Sequence, residues 1–285
     1  MSNVNGNEAV VVSYKKSYIS MFLTGLTWVA SVLALFILVF LILFIMVKGI
    51  GNLSPDLFAP VYNSDNASLV PALVNTLSMT VMALVIAAPL GIFAAIFLVE
   101  YANKKGKVVG LIRITAETLS GIPSIVYGLF GMLFFATTLH WGYSMLSGAF
   151  TMAIMILPLI MRTSEEALSS VPDMFREASF GLGAGKLRTI FRIVLPAAVP
   201  GILSGVILAT GRVVGETAAL LYTAGSVAKY AGFMDSGRTL AVHMYVLSSE
   251  GLHMDKAYAT AVVLLVLVLA INGLSSLVAK RIAKG

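Results

Sequence analysis

The chain has 285 residues, 59% of them hydrophobic and only 11% charged, with a formal net charge of +6 and no cysteine; ordinary globular domains run at roughly 45–50% apolar and about 25% charged. So little charge cannot cover a water-exposed surface, which excludes a soluble enzyme, and the lack of cysteine excludes disulfides, thiolate nucleophiles and Cys-based metal sites. The mean hydropathy of +0.95 makes this a multi-span membrane protein, in which a basic excess marks inner loops rather than nucleic-acid binding.

Six apolar stretches reach the ~20 residues needed to cross about 30 Å of hydrocarbon as helix. The first, Leu23–Val47, is too long for a signal-peptide core and has no obvious cleavage site behind it, so it is expected to remain as a span. A polar, turn-rich outer segment follows from Gly49 to Pro71, with Asn52, Ser54, Pro55, Asp56, Asn63, Ser64, Asp65 and Asn66. The second and third spans are Ala72–Val99 and Thr118–Leu139. Glu117, just before the latter, sits where a cap-like or snorkelling role is expected. The fourth span is Tyr143–Met161. An inner loop too charged to span then runs from Arg162 to Leu195, and the fifth span is Ala197–Tyr222. The outer segment from Ala224 to Lys256 contains Thr239–Leu247, which suits a short helix lying at the membrane interface. Ala257–Ala279 is the sixth span.

Orientation follows from the cations. With the N-terminus inside, fourteen of the nineteen Lys and Arg fall on inner segments: Lys15, Lys16, Lys104, Lys105, Lys107, Arg113, Arg162, Arg176, Lys186, Arg188, Arg192, Lys280, Arg281 and Lys284. The positive-inside rule therefore puts both termini in the cytoplasm. The organisation expected is a tail, first span and outer loop over residues 1–71, then a membrane core over 72–281 with an inner loop at 163–196.

Chemistry of its own is not visible in the chain. Gly181–Leu187 has the wrong glycine spacing for a phosphate-binding loop, and Leu187 stands where Ser or Thr should hold Mg²⁺. His140, His243 and His253 form no metal motif and read as polar tips at headgroup level. No nucleophile elbow appears. No cofactor, metal, catalytic residue or nucleic-acid partner is expected, and the lipid bilayer is.

Two segments carry functional signals. In the inner loop, Asp173 can cap a short helix that Gly181, Gly183 and Gly185 then break, and a second amphipathic stretch, Leu187–Val194, leads to Pro196. Such an element suits either a docking knob for a soluble protein or a helix lying on anionic lipid, and the physics favours neither. In the fifth span Arg212 lies roughly 20 Å from the inner end, where a lone charge costs about 2.5–3.5 kcal/mol. Arg212 and Glu216, four residues apart, are expected to share a helix face and partly neutralise each other. One reading is a structural salt bridge. The other is an anion contact, for which a planar, permanently charged guanidinium is suited. Glycines 201, 205, 211 and 215 give two GxxxG spacings, read as sites of close helix packing.

Glu177-Ala178-Ser179, then Gly183, then Ile193-Val194-Leu195-Pro196 resemble, without a gap, the EAA loop of prokaryotic ABC importer permeases, with Ser179 in place of the usual second alanine. Gly211–Ala218 is similar to the R-x-x-G-E-T-A segment of phosphate importer permeases, Gly121–Gly131 to their G-I-P-S-I-V-Y-G segment, and Pro89–Tyr101 to their PLG…EY helix end. The resemblance covers most of Asn75 to Ala279 and is to PstA-type permeases of phosphate ABC importers. It implies an all-α, six-span type I importer fold in a prokaryotic cytoplasmic membrane. It implies a substrate pathway at Arg212, Glu216 and Thr217, and ATPase coupling through Phe175, Glu177, Ala178 and Gly183. It further implies a PstC-type second permease, a PstB-type ATPase dimer that consumes the ATP, and a PstS-type extracytoplasmic phosphate-binding protein. Ala219 departs from the proline usual in that segment, which is expected to straighten the helix just past Glu216.

Overall fold

The structure, a computed structural model, describes residues 18–103 and 106–282; Lys15, Lys16, Lys104, Lys105 and Lys284 lie outside them. Among the described residues every regular element is helical. The chain divides into two units, up to Val47 and from Lys48 onward. The described part of the first unit is one helix, α1 (Tyr18–Ile50), which runs three residues into the second unit. Its apolar side chains are exposed along its length, as suits a helix whose solvent is lipid. Phe36, Phe40 and Phe44 stack at i, i+4 spacing with centroids 6.2 Å apart.

The second unit is built around α2 (Val70–Ile96) and α5 (Met145–Ser169). Their seam carries a run of small residues, Ala83, Ala87, Gly91 and Ala95 on α2 with Ala149 and Ala153 on α5, beside the larger Met79, Met152, Ile156 and Ile160. A Cβ on Gly91 would stand 2.9 Å from Cγ2 of Ile160, so the backbones meet almost directly, the contact that small residues allow between helices in lipid. α8 (Leu195–Val214) packs against α5 and also touches α2. There Gly201 abuts Ala167, and a Cβ on Gly205 would overlap Thr163. The expected close packing holds for these two glycines and not for Gly211 or Gly215, which approach no neighbouring helix closely.

Five helical stretches are long and apolar enough to span: Tyr18–Ile50, Val70–Tyr101, Met145–Ser169, Lys186–Val214 and Met254–Leu277. Two of the expected spans are broken. The third does not run straight from Thr118: α3 (Lys107–Ser120) and α4 (Ser124–Gly131, continued by a π-helical segment to Thr138) meet at 100°. Pro123 explains the break, because its ring drives the preceding residue out of helical space and it offers no N–H to continue the ladder. Taken together, α3 and α4 make the sixth passage. The fifth span also stops early, at Val214, and resumes as α9 (Ala218–Thr223).

One inner-loop expectation is corrected as well. α6 (Asp173–Gly181) begins at Asp173, with Pro172 at the cap position and no side-chain cap bond. The stretch after it leads into the fifth span as expected, α7 (Lys186–Thr189) passing through a π-turn at Ile190–Val194 into α8 as one continuous helix. Pro196 stands just after the π-turn, where its missing N–H interrupts the ladder of this continuous helix.

On the outer side, α10 (Leu240–Glu250) forms where a short helix is expected. It buries Leu240, Ala241, Val242, His243 and Leu247 against its neighbours, including α11 (Met254–Ile282). Asn75 of α2 fixes the preceding loop, donating to Lys229 O and Arg238 O and accepting from Ala231 N–H. Thr76 Oγ1 accepts from the Leu240 N–H at the start of α10.

Candidate functional site

The segments around Arg212 and Gly121–Gly131, far apart in sequence, meet where the two broken spans pack. A Cβ on Gly128 would stand 2.9 Å from the Cα of Ala219, and one on Gly131 would collide with Thr151 and Thr223. Only glycine permits α4 and α9 this approach. Tyr127 donates its hydroxyl to Leu119 O across the α3–α4 break and lies in the field of Arg212. Arg212 ends α8, where a cation complements the helix dipole.

The expected Arg212–Glu216 pair is not formed. Gly215 closes α8, and beyond it the backbone leaves the helix, so the four-residue spacing no longer places the two side chains on one face. Glu216 instead turns forward, its Oε1 accepting the Ala219 N–H at 3.0 Å and capping α9. A proline at 219 has no N–H to give. The departure from the family pattern therefore leaves the helix broken and supplies the break with a cap, rather than straightening it. Arg212, half-buried, makes no ion pair or hydrogen bond among the described residues, and Thr217 bridges the break as the residue before α9.

A charged cavity of about 520 Å³ between α3 and α5 was not anticipated. Arg113 pairs with Glu165, and Arg162 with Glu166 and, at 3.8 Å, with Glu117. Glu117 is thus an ion-pair partner rather than a cap. The one advance signal was the i, i+4 spacing of Arg162 and Glu166; the rest depends on how α3 folds back beside α5.

The inner docking element is tightly made. α6 ends in a Schellman turn: Gly183 N–H bonds Phe180 O and Ala184 N–H bonds Ser179 O, with Gly183 at φ +79°. Ser179 is buried, and its hydroxyl meets that of Thr189 at 2.8 Å, tying α6 to α7. The side chains left outside include Met174, Phe175, Phe180, Leu182 and Leu187, with Glu177 and Ala178 also exposed. Phe175, Ala178, Gly183, Arg188 and Arg192 line an open concavity of about 620 Å³.

A third cluster lies on the outer side and corrects the reading of one histidine. His140 is exposed and His253 partly so, but His243 is fully buried. Its Nε2 meets Ala67 O at 3.2 Å and its Nδ1 has no partner among the described residues. Burial, reinforced by the positive charge of Arg238, pushes its pKa down to about 3, so the ring is neutral. Arg238 is itself only 4% exposed; its guanidinium lies 4.5 Å from the centre of the Tyr62 ring, with Nε and Nη2 unpartnered.

The chain belongs to the family of binding-protein-dependent transport system inner membrane components, whose pattern matches residues 87–284. It is 34% identical over 268 residues to the probable ABC transporter permease protein YqgI of Bacillus subtilis (strain 168), covering 87% of this chain and 91% of that one. It is 37% identical over 206 residues to the phosphate transport system permease protein PstA 1 of Mycobacterium tuberculosis (strain CDC 1551 / Oshkosh), covering 70% and 67%. Among solved structures, that of a bacterial alginate ABC transporter in complex with an alginate pentasaccharide-bound periplasmic protein contains a similar chain. The TM-score is 0.70 at 16% identity, over 93% of this chain and 96% of that one. The protein is thus a multi-pass membrane protein with the type I importer permease fold.

Proposed function

We propose that the chain is one of two permease subunits of an ATP-driven importer of inorganic phosphate in a prokaryotic cytoplasmic membrane. A PstC-type permease would form the other half of the pathway, a PstB-type ATPase dimer would supply the work, and a PstS-type protein would deliver the ion from outside. The observation that carries this reading is Arg212: a permanent cation with no counter-ion among the described residues, placed where two broken spans pack together. Discontinuous helices are where transporters place substrate contacts. The guanidinium fork matches a tetrahedral oxyanion, and a single half-buried arginine holds it transiently rather than trapping it.

The docking element supports the second half of the reading. Its exposed aromatic and aliphatic side chains, with Glu177 and Ala178 beside them, form a knob that fits a groove in a soluble ATPase. Gly183 sets the turn that shapes it. Phe175, Glu177, Ala178 and Gly183 are assigned to this contact.

The test is labelled phosphate uptake at low external phosphate, in cells with and without this chain, with sulfate and molybdate as competitors. Uptake that depends on the chain and yields only to unlabelled phosphate is expected; competition by another oxyanion would reassign the substrate. Replacing Arg212 by Gln removes a charge-assisted contact of about 1.5–3 kcal/mol, so uptake should fall at least about tenfold. The complex should still assemble, since Arg212 holds no neighbour in place.

A further inference from the structure

The family-like helix end Glu100-Tyr101 has no part in the pathway or the docking surface, yet both residues reach the docking element. Arg176 stands between Phe175 and Glu177 in α6. Its Nε and Nη2 donate to Glu100 Oε1 at 3.0 and 2.8 Å, with the two side chains only 13% and 8% exposed. Nη1 donates to Val171 O and Asp173 Oδ1, and Nη2 also to Leu168 O. The five bonds match the five N–H donors of the guanidinium, an arrangement that lysine cannot reproduce. One side chain thereby joins α6, the carbonyls at the end of α5, and the end of α2. On the far side of the Gly183 turn, Lys186 of α7 places its ammonium 4.7 Å from the centre of the Tyr101 ring. Glu100 and Tyr101 lie in a π-turn, Phe97–Tyr101, whose wider loop re-aims the side chains at the helix end.

We propose that Glu100 and Tyr101 are positioning residues that grip the docking element on both its arms, so that α2 moves with α6 and α7 as one body when the ATPase moves them. This rests on the ATPase-docking reading above. A simple brace would also hold the helices together. The distinction is whether the grip sets how much phosphate moves per ATP.

The experiment uses the whole importer in proteoliposomes, measuring phosphate taken up and ATP hydrolysed in the same sample. Absence of ATP-dependent phosphate uptake by the wild-type complex would refute the functional reading itself. With that uptake present, two variants address the grip. Tyr101→Leu removes the cation–π contact at a half-exposed side chain and strands no buried charge. Glu100→Cys combined with Arg176→Cys removes both buried charges together, and a short bifunctional thiol reagent cleavable by reductant can then bridge the two positions. The chain has no cysteine of its own.

Both variants should assemble, and phosphate per ATP should fall at least about fivefold, the low end of a coupling between sites. Bridging the cysteine pair should restore the ratio, and reductant should remove it again. A wild-type ratio in both unbridged variants overturns the proposal. So does bridging that lowers transport further, which would mean that the contact must open in each cycle. Failure of both variants to bind the ATPase also overturns it, leaving Glu100 and Tyr101 as a brace.

Discussion

Glu216 shows how a residue can be legible as a charge and illegible as a contact. Its sequence distance from Arg212 promised a salt bridge, but that inference assumes an uninterrupted helix, and Gly215 interrupts it. What remains is a cap for α9, made possible by the N–H of Ala219. The role predicts a specific pattern. Glu216→Gln keeps an acceptor oxygen and should change the melting temperature of the purified complex little, with uptake near normal. Glu216→Ala loses the cap and should cost about 1 kcal/mol. If Gln were as damaging as Ala, the negative charge rather than the cap would be what matters. Ser179 carries the same lesson: it stands where the resembled loop has alanine, and its hydroxyl holds α6 to α7.

At the scale of elements, hydropathy located the membrane helices well because burial in lipid demands long apolar runs. It passed over both breaks, since a window that averages twenty residues does not register one Gly-Ile-Pro or a Gly-Glu-Thr. The residues for the first break were in view; what was lacking was the 100° bend they produce. The π-turns at Phe97–Tyr101 and Ile190–Val194 were not anticipated. The end of α6 was the most legible local feature, because only a residue tolerant of positive φ closes a Schellman turn. A Cβ on Gly183 would meet nothing within 4 Å, so Gly183→Ala carries a purely conformational penalty of about 1–2 kcal/mol. The variant should retain the membrane fold but bind the ATPase more weakly in a pull-down, and Gly183→Asn should be milder. Equal binding by all three forms would show that the turn does not shape the docking face.

For the molecule as a whole, the outer side was the least readable part. Its loops looked polar and superficial, yet Asn75 and Thr76 draw them onto α2 and bury His243 and Arg238. Only the tertiary fold decides that. A pH dependence follows. The folded pKa of His243 is lowered from 6.5 to about 3, so the unfolded chain binds the proton first. The stability linked to this ring is complete above pH 6.5 and is lost as pH falls toward 3, at up to about 1.4 kcal/mol per pH unit. Thermal unfolding of the purified complex between pH 7.5 and 4.5 should show this decline, and His243→Gln should flatten it. Parallel curves for the two proteins would remove His243 as its origin.

α2 is held at both ends. Its inner end carries Glu100 and Tyr101, and one turn from its outer end Asn75 and Thr76 hold the loop that leads into α10. From Asn75 to Glu100 the chain rises through 25 residues of helix, about 38 Å at 1.5 Å each, packed along α5 and closest to it at Gly91. Pro89 interrupts its backbone ladder, and the close seat of Gly91 on α5 two residues further on splints that point; a helix held in this way is a lever, and when it tilts about its middle its two ends travel in opposite directions. An inward pull on the docking element would then arrive at the extracytoplasmic mouth as an outward push, with no signal relayed through the pathway between.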